Sequence, residues 1–162
     1  MTAQEYNQCV DSYSDALYRF ALKNMHVAEY AKDVVQQAYE VLWVNKTSVT
    51  MDKAKSYLFT IAHRRMIDEH RKNAKTILRE ELPESTRVTH TSVTPDLKRT
   101  LHQALEKLSE MQRQMVLLKD YEGYSYQEIA QIMNLTDGQV KINLFRARQS
   151  LKESLINMYH HI

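Results

Sequence analysis

Helix breakers are scarce in this sequence. Of its 162 residues only 2 are glycine and 2 are proline. These are the residues that disrupt helix interiors most, and without them a chain of many short strands and tight turns is excluded. Cysteine is scarcer still. Cys9 stands alone, so no intramolecular disulfide can form. It falls on an apolar stripe, which predicts a buried structural thiol. No Cys or His stands at zinc-finger spacing, and the terminal pair His160–His161 reads as part of a frayed end. No metal and no cofactor are therefore expected. There is no P-loop and no nucleophile–His–acid set, so nothing supports an enzyme. His63, Asp68 and His70 lie on one predicted helix, where solvated polarity explains them. No apolar run approaches the roughly 18 residues of a membrane span, and Met1–Val10 has no signal-peptide pattern. A soluble, cytoplasmic protein is expected.

What is present is helical periodicity. Hydrophobic residues make up 43% of the chain, enough for one or two small cores. Thr2 with Glu5 forms a capping box, the mark of a helix start. The helix after it directs Tyr6, Cys9, Val10, Tyr13, Ala16, Leu17, Phe20 and Ala21 inward. After a break at Asn24–Val27, a second helix over Ala28–Asn45 buries Ala31, Val34, Val35, Ala38, Tyr39 and Leu42. Its other face offers Asp33, Gln36, Gln37 and Glu40, and Trp43, near its end, is read as core. A polar connection, Asn45–Met51, leads to Asp52 as N-cap of a third helix over Lys53–Asn73. Ala74–Pro95 holds both prolines and no sustained stripe, and is read as a flexible linker. Asp96 then caps a fourth helix with Leu97, Leu101, Ala104, Leu105 and Leu108 inward. The fold class is all-α, with helical domains at 1–73 and 96–162 joined by the linker 74–95.

Charge is unevenly spread. Met1–Asp52 carries four bases against seven acids, a net −3, whereas Lys53–Arg79 carries eight against two, a net +6. From Gln139 onward the balance is four against one, a net +3. Two separated basic patches suggest two contacts with one polyanion, and the acidic first third suggests a protein partner. In the first patch, Tyr57 and Phe59 beside basic residues are candidates to stack on unpaired bases; the alternative is that both are core, which suits Tyr57 at least as well.

The second patch belongs to a motif. Ser109 with Gln112, Ser125 with Glu128 and Thr136 with Gln139 mark three helix starts. Asn134-Leu135-Thr136 is a turn, because Asn tolerates the left-handed conformation that ends a helix. The helix before the turn buries Ile129, Ala130 and Met133. The helix after it buries Val140, Leu144, Ala147 and Leu151. A short helix, a short turn and a longer basic helix describe a helix-turn-helix whose second helix enters the DNA major groove. Gln139, Lys141, Ile142, Asn143, Phe145, Arg146 and Arg148 are the candidates at the DNA.

Three blocks together resemble a known family. Asp33 to Trp43 (DVVQQAYEVLW), Tyr57 to Arg64 (YLFTIAHR) with Asp68 and Arg71, and Gln112 to Arg148 appear in order. They are similar to the bacterial RNA polymerase sigma factors, in the extracytoplasmic-function (ECF) group of the sigma-70 family. The resemblance implies a sigma factor that binds core RNA polymerase and directs promoter recognition and DNA melting. It assigns Asp33, Gln36, Gln37, Glu40 and Trp43 to the clamp helices of the polymerase largest subunit. It assigns Lys46, Lys53, Lys55, Tyr57, His63, Arg64, Arg65 and Arg71 to opening and reading the minus-ten element. The helix-turn-helix would read the minus-thirty-five element. Control by an anti-sigma factor or another recruiting factor is implied as well. The sequence departs from the family at Gln37, where an acid is usual, at His63-Arg64 for Arg-Asn, at Gln139 for Thr and at Ile142-Asn143 for Ser-Arg. Arg suits guanine, whereas Asn pairs with adenine and Ile can meet a thymine methyl. A second reading remains, a stand-alone helix-turn-helix regulator whose first domain dimerises or binds an effector.

Overall fold

The structure, a computed structural model, describes residues 1–79 and 96–160. Seven α-helices account for most of these: α1 Ala3–Met25, α2 Ala28–Val44, α3 Met51–Arg79, α4 Asp96–Glu106, α5 Glu110–Val116, α6 Tyr126–Met133 and α7 Asp137–His160. No strand occurs among the described residues. The all-α expectation therefore holds.

Local chemistry sets the helix ends. At α1 the Glu5 N–H donates to Thr2 Oγ1 at 3.1 Å, and the Thr2 N–H donates back to Glu5 Oε2 at 2.8 Å. α1 closes on His26, which has φ 62°, and the His26 N–H donates to the Leu22 carbonyl. Helices α1, α2 and α3 pack mutually around Cys9, Leu17, Phe20, Ala38, Leu42, Leu58 and Met66. Cys9 is fully buried, and burial raises its thiol pKa, as expected for a structural cysteine.

Several expectations are corrected. α3 starts at Met51, so Asp52 sits in its first turn instead of capping it. There its carboxylate still faces the positive helix end, and a hydrogen bond with Thr50 lowers its pKa. α3 also runs on to Arg79, past the predicted end at Asn73. The rest of the predicted linker, 80–95, lies outside the described residues. Leu97 is 61% exposed, because it lies on the first turn of α4, ahead of the packed positions Ala104 and Leu105. α7 continues to His160, into the stretch read as frayed.

Nothing in the periodicity foretells the π-helical turn Leu117–Tyr121 that follows α5. Its wide i→i+5 bonding has the Glu122 N–H donate to the Leu117 carbonyl at 3.0 Å. Adjacent residues Leu117 and Leu118 are both buried. Two residues after the turn stands Gly123, whose φ of 75° favours glycine.

The second group of helices, α4 to α7, lies directly against the first. α3 packs on α6, and α5 approaches α1. Phe59 stands between Phe20 and Tyr124, with ring centroids 5.3 and 5.2 Å away. Arg19 reaches Glu122 at 3.4 Å across the same seam.

Candidate nucleic-acid and polymerase interfaces

The helix-turn-helix is built as its caps predict. Ser125 and Glu128 exchange hydrogen bonds of 3.1 and 3.2 Å at the start of α6. Asn134 closes α6 in the left-handed region at φ 55°, ψ 52°. Thr136 and Gln139 then exchange bonds of 2.9 and 3.2 Å to start α7. Val140, Leu144 and Ala147 are buried against the rest of the unit, while Leu151 is only partly buried. Ile132 is buried as well, beyond the predicted stripe of α6.

This anchoring turns the other face of α7 outward. Lys141, Ile142, Phe145 and Arg146 are exposed, with Phe145 at 71%. An exposed phenylalanine beside an exposed isoleucine gains nothing from the core, so the pair is suited to an apolar contact such as thymine methyls. Three other predicted residues are engaged locally. The Gln139 side chain is held by its capping box. The Asn143 amide donates to the Gln139 carbonyl at 2.8 Å. Arg148 forms a 2.7 Å ion pair with Asp120, which raises its pKa and ties α7 to the π-turn. Between α6 and α7 a groove is lined by Tyr126, Lys141, Phe145, Arg148 and Lys152.

α3 carries the second basic surface. Lys53, Arg64, Arg65 and Arg71 are exposed, and Lys55 and Tyr57 are partly so. Lys53, Tyr57, Arg64 and Arg71 recur at close to whole numbers of helical turns and share one stripe. Two aromatic and imidazole candidates lie elsewhere. Phe59 is wholly buried, and the core position left open for it is the one it takes. His63 is 8% exposed and donates from Nδ1 to Gln114 Oε1 at 2.5 Å, under the second unit. Burial lowers its pKa, and Arg64 adds to that. Lys55 lies 4.8 Å from the Tyr124 ring centroid on the same seam. Lys46, in the connection before α3, covers the Trp43 ring at 3.3 Å.

On α2, Asp33, Gln36 and Glu40 are exposed and Gln37 is partly so. Gln36 donates to Glu40 Oε1 at 3.3 Å. Trp43 is not core. It is 45% exposed, held edge-on by Tyr6 with centroids 4.9 Å apart. The three-four-three spacing of Asp33, Gln36, Glu40 and Trp43 makes one continuous polar stripe ending in an indole.

The sequence reading missed Gln114, which is fully buried with its Nε2 donating to Glu110 at 3.2 Å. It also missed the histidines at the seam. His26 and His70 belong to the first unit, yet lie against Glu106 and Glu110 of the second at 3.8 and 3.7 Å. No local pattern announces such contacts, since their partners are distant in the chain.

A helix-turn-helix with a basic outer face, beside a second unit bearing a basic aromatic stripe, defines a DNA-binding protein. Comparison with known proteins sharpens the class. Residues 9–76 match the family described as Sigma-70 region 2, and residues 98–151 match Sigma-70, region 4. The chain is similar to the ECF RNA polymerase sigma factor SigL of Mycobacterium tuberculosis, with 30% identity covering 90% of this chain and 85% of that one. Similarity to SigW of Bacillus subtilis is 28%, covering 90% and 86%. The fold resembles that of the sigma factor RpoE from Bartonella quintana, solved in complex with the anti-sigma factor NepR. The TM-score is 0.79 at 27% identity, covering 94% of this chain and 98% of that chain. This chain belongs to the extracytoplasmic-function sigma factors of the sigma-70 family. It directs promoter recognition for transcription initiation, and its partners are core RNA polymerase and promoter DNA.

Proposed function

We propose that the chain works by binding alone, without catalysis, and divides its labour between two domains, 1–73 and 96–162. The α2 stripe of Asp33, Gln36, Gln37, Glu40 and Trp43 docks on core polymerase. The α3 surface of Lys53, Tyr57, Arg64, Arg65 and Arg71, with Lys46 and Lys55 beside it, holds the displaced strand of the minus-ten element. α7 reads the minus-thirty-five element through Lys141, Ile142, Phe145 and Arg146. Gln139, Asn143 and Arg148 join it once their local bonds are exchanged for contacts with DNA. His63 supports the α3 surface from beneath, where Gln114 covers it. Because both partners are in the cytoplasm, the protein acts there. An anti-sigma factor is a further proposed partner, by likeness to the RpoE neighbour, which was solved bound to one.

The observation that carries this reading is the shared stripe of Lys53, Tyr57, Arg64 and Arg71. It combines phosphate-pairing charge with a ring that can stack on a base. The test is open-complex formation by core polymerase plus this protein on duplex and on pre-melted promoters. Replacing Arg64 and Arg65 together by alanine is expected to reduce opening on the duplex and to harm the pre-melted template less. Equal loss on both would mean general phosphate binding and would overturn the melting role.

A further inference from the structure

We infer that His26, His102 and Glu106 form a binding site for one divalent transition-metal cation, bridging the two helical units. His26 is the C-cap of α1, and its left-handed backbone is held by the N–H bond to Leu22. His102 and Glu106 lie one helical turn apart on α4, so their side chains share a face. Glu106 Oε1 stands 3.3 Å from His102 Nε2 and 3.8 Å from His26 Nδ1. All three donor atoms fall within 4.8 Å of one another.

Those separations suit a metal. Bonds of about 2.0–2.1 Å in a tetrahedral shell place neighbouring donors about 3.4 Å apart, so small side-chain rotations close the set. Two imidazoles and one carboxylate favour zinc or a similar ion over calcium or magnesium, which prefer all-oxygen shells. The donors are partly exposed, which leaves a fourth position to water. Burial also lowers the pKa of His26. Arg113 faces the same cluster and opposes added positive charge, whereas Glu106 supplies the negative charge that offsets it. A cation held from both α1 and α4 ties the units together beside the seam that buries His63.

The probe is zinc alone, with cobalt for its absorption spectrum, added to the full chain after chelator treatment. His160 and His161 are replaced by glutamine throughout, which removes the tail pair as a competing site. One equivalent is expected to bind. His102→Gln, Glu106→Gln and His26→Asn should each weaken zinc binding by at least about tenfold. Asparagine at 26 accepts the left-handed backbone, so the helix end survives, and unchanged circular dichroism verifies the fold. Absence of binding would overturn the site. Undiminished binding in all three variants would place the metal elsewhere. Undiminished binding in His26→Asn alone would leave a site confined to α4 and overturn the bridge.

Discussion

Gln114→Met tests the seam between the units most directly. Gln114 is fully buried, and its Oε1 accepts the proton of His63 Nδ1 at 2.5 Å. Methionine keeps nearly the same volume, so no large cavity opens. What disappears is the acceptor, leaving the His63 N–H buried and unsatisfied at a cost of about 1–3 kcal/mol. Glu110 also loses a donor, but its side chain is partly exposed and water can replace it. With a urea slope of about 2 kcal/mol/M, the midpoint should fall by about 0.5–1.5 M. The double variant His63→Phe with Gln114→Met removes both polar partners and should recover most of the loss. The cycle then yields a coupling of at least about 1 kcal/mol. Urea unfolding followed by both circular dichroism and Trp43 fluorescence measures this. A midpoint unchanged in Gln114→Met, or additive losses in the double variant, would refute the buried hydrogen bond.

Other outcomes follow from the same geometry. Reversing the charges of Asp33 and Glu40 should weaken binding to core polymerase without changing the circular dichroism spectrum, and unchanged affinity would leave that stripe merely solvated. Asn143→Arg should change the preferred upstream sequence, with a discrimination of about 1–3 kcal/mol at one base pair. Binding to a randomised library checks it, and an unaltered preference would remove residue 143 from base reading. Lys141→Ala should instead weaken binding on every sequence and flatten its salt dependence, as loss of a phosphate contact does. Stability should fall on acidification from about pH 6.5. Burial holds the pKa values of His26, His63 and His70 below the usual histidine value, so the unfolded chain takes up protons first. Arg113 and Arg64 reinforce that direction, while Glu106 and Glu69 oppose it. Urea midpoints that stay equal at pH 7.5 and 5.5 would show that these histidines are not desolvated.

The chain by itself determined the order of its helices, the capping boxes at Thr2, Ser125 and Thr136, and the helix-turn-helix. Those depend on neighbours three or four residues apart, as with Thr136 and Gln139, and such spacing can be read directly. It likewise determined the separation of basic and acidic segments, and its resemblance to a known family pointed to the partners. Tertiary structure alone decided which of those residues stay at the surface. His63 and Arg64 are adjacent, yet one is buried under Gln114 and the other is exposed. Trp43, apolar enough for a core, is left outside because α1 offers it only the edge of Tyr6. The π-turn, the buried Gln114 and the meeting of His26 with His102 and Glu106 depend on packing between segments far apart in the chain. The burial of these polar groups and their pKa shifts are properties of that packing, and no local pattern of residues encodes them.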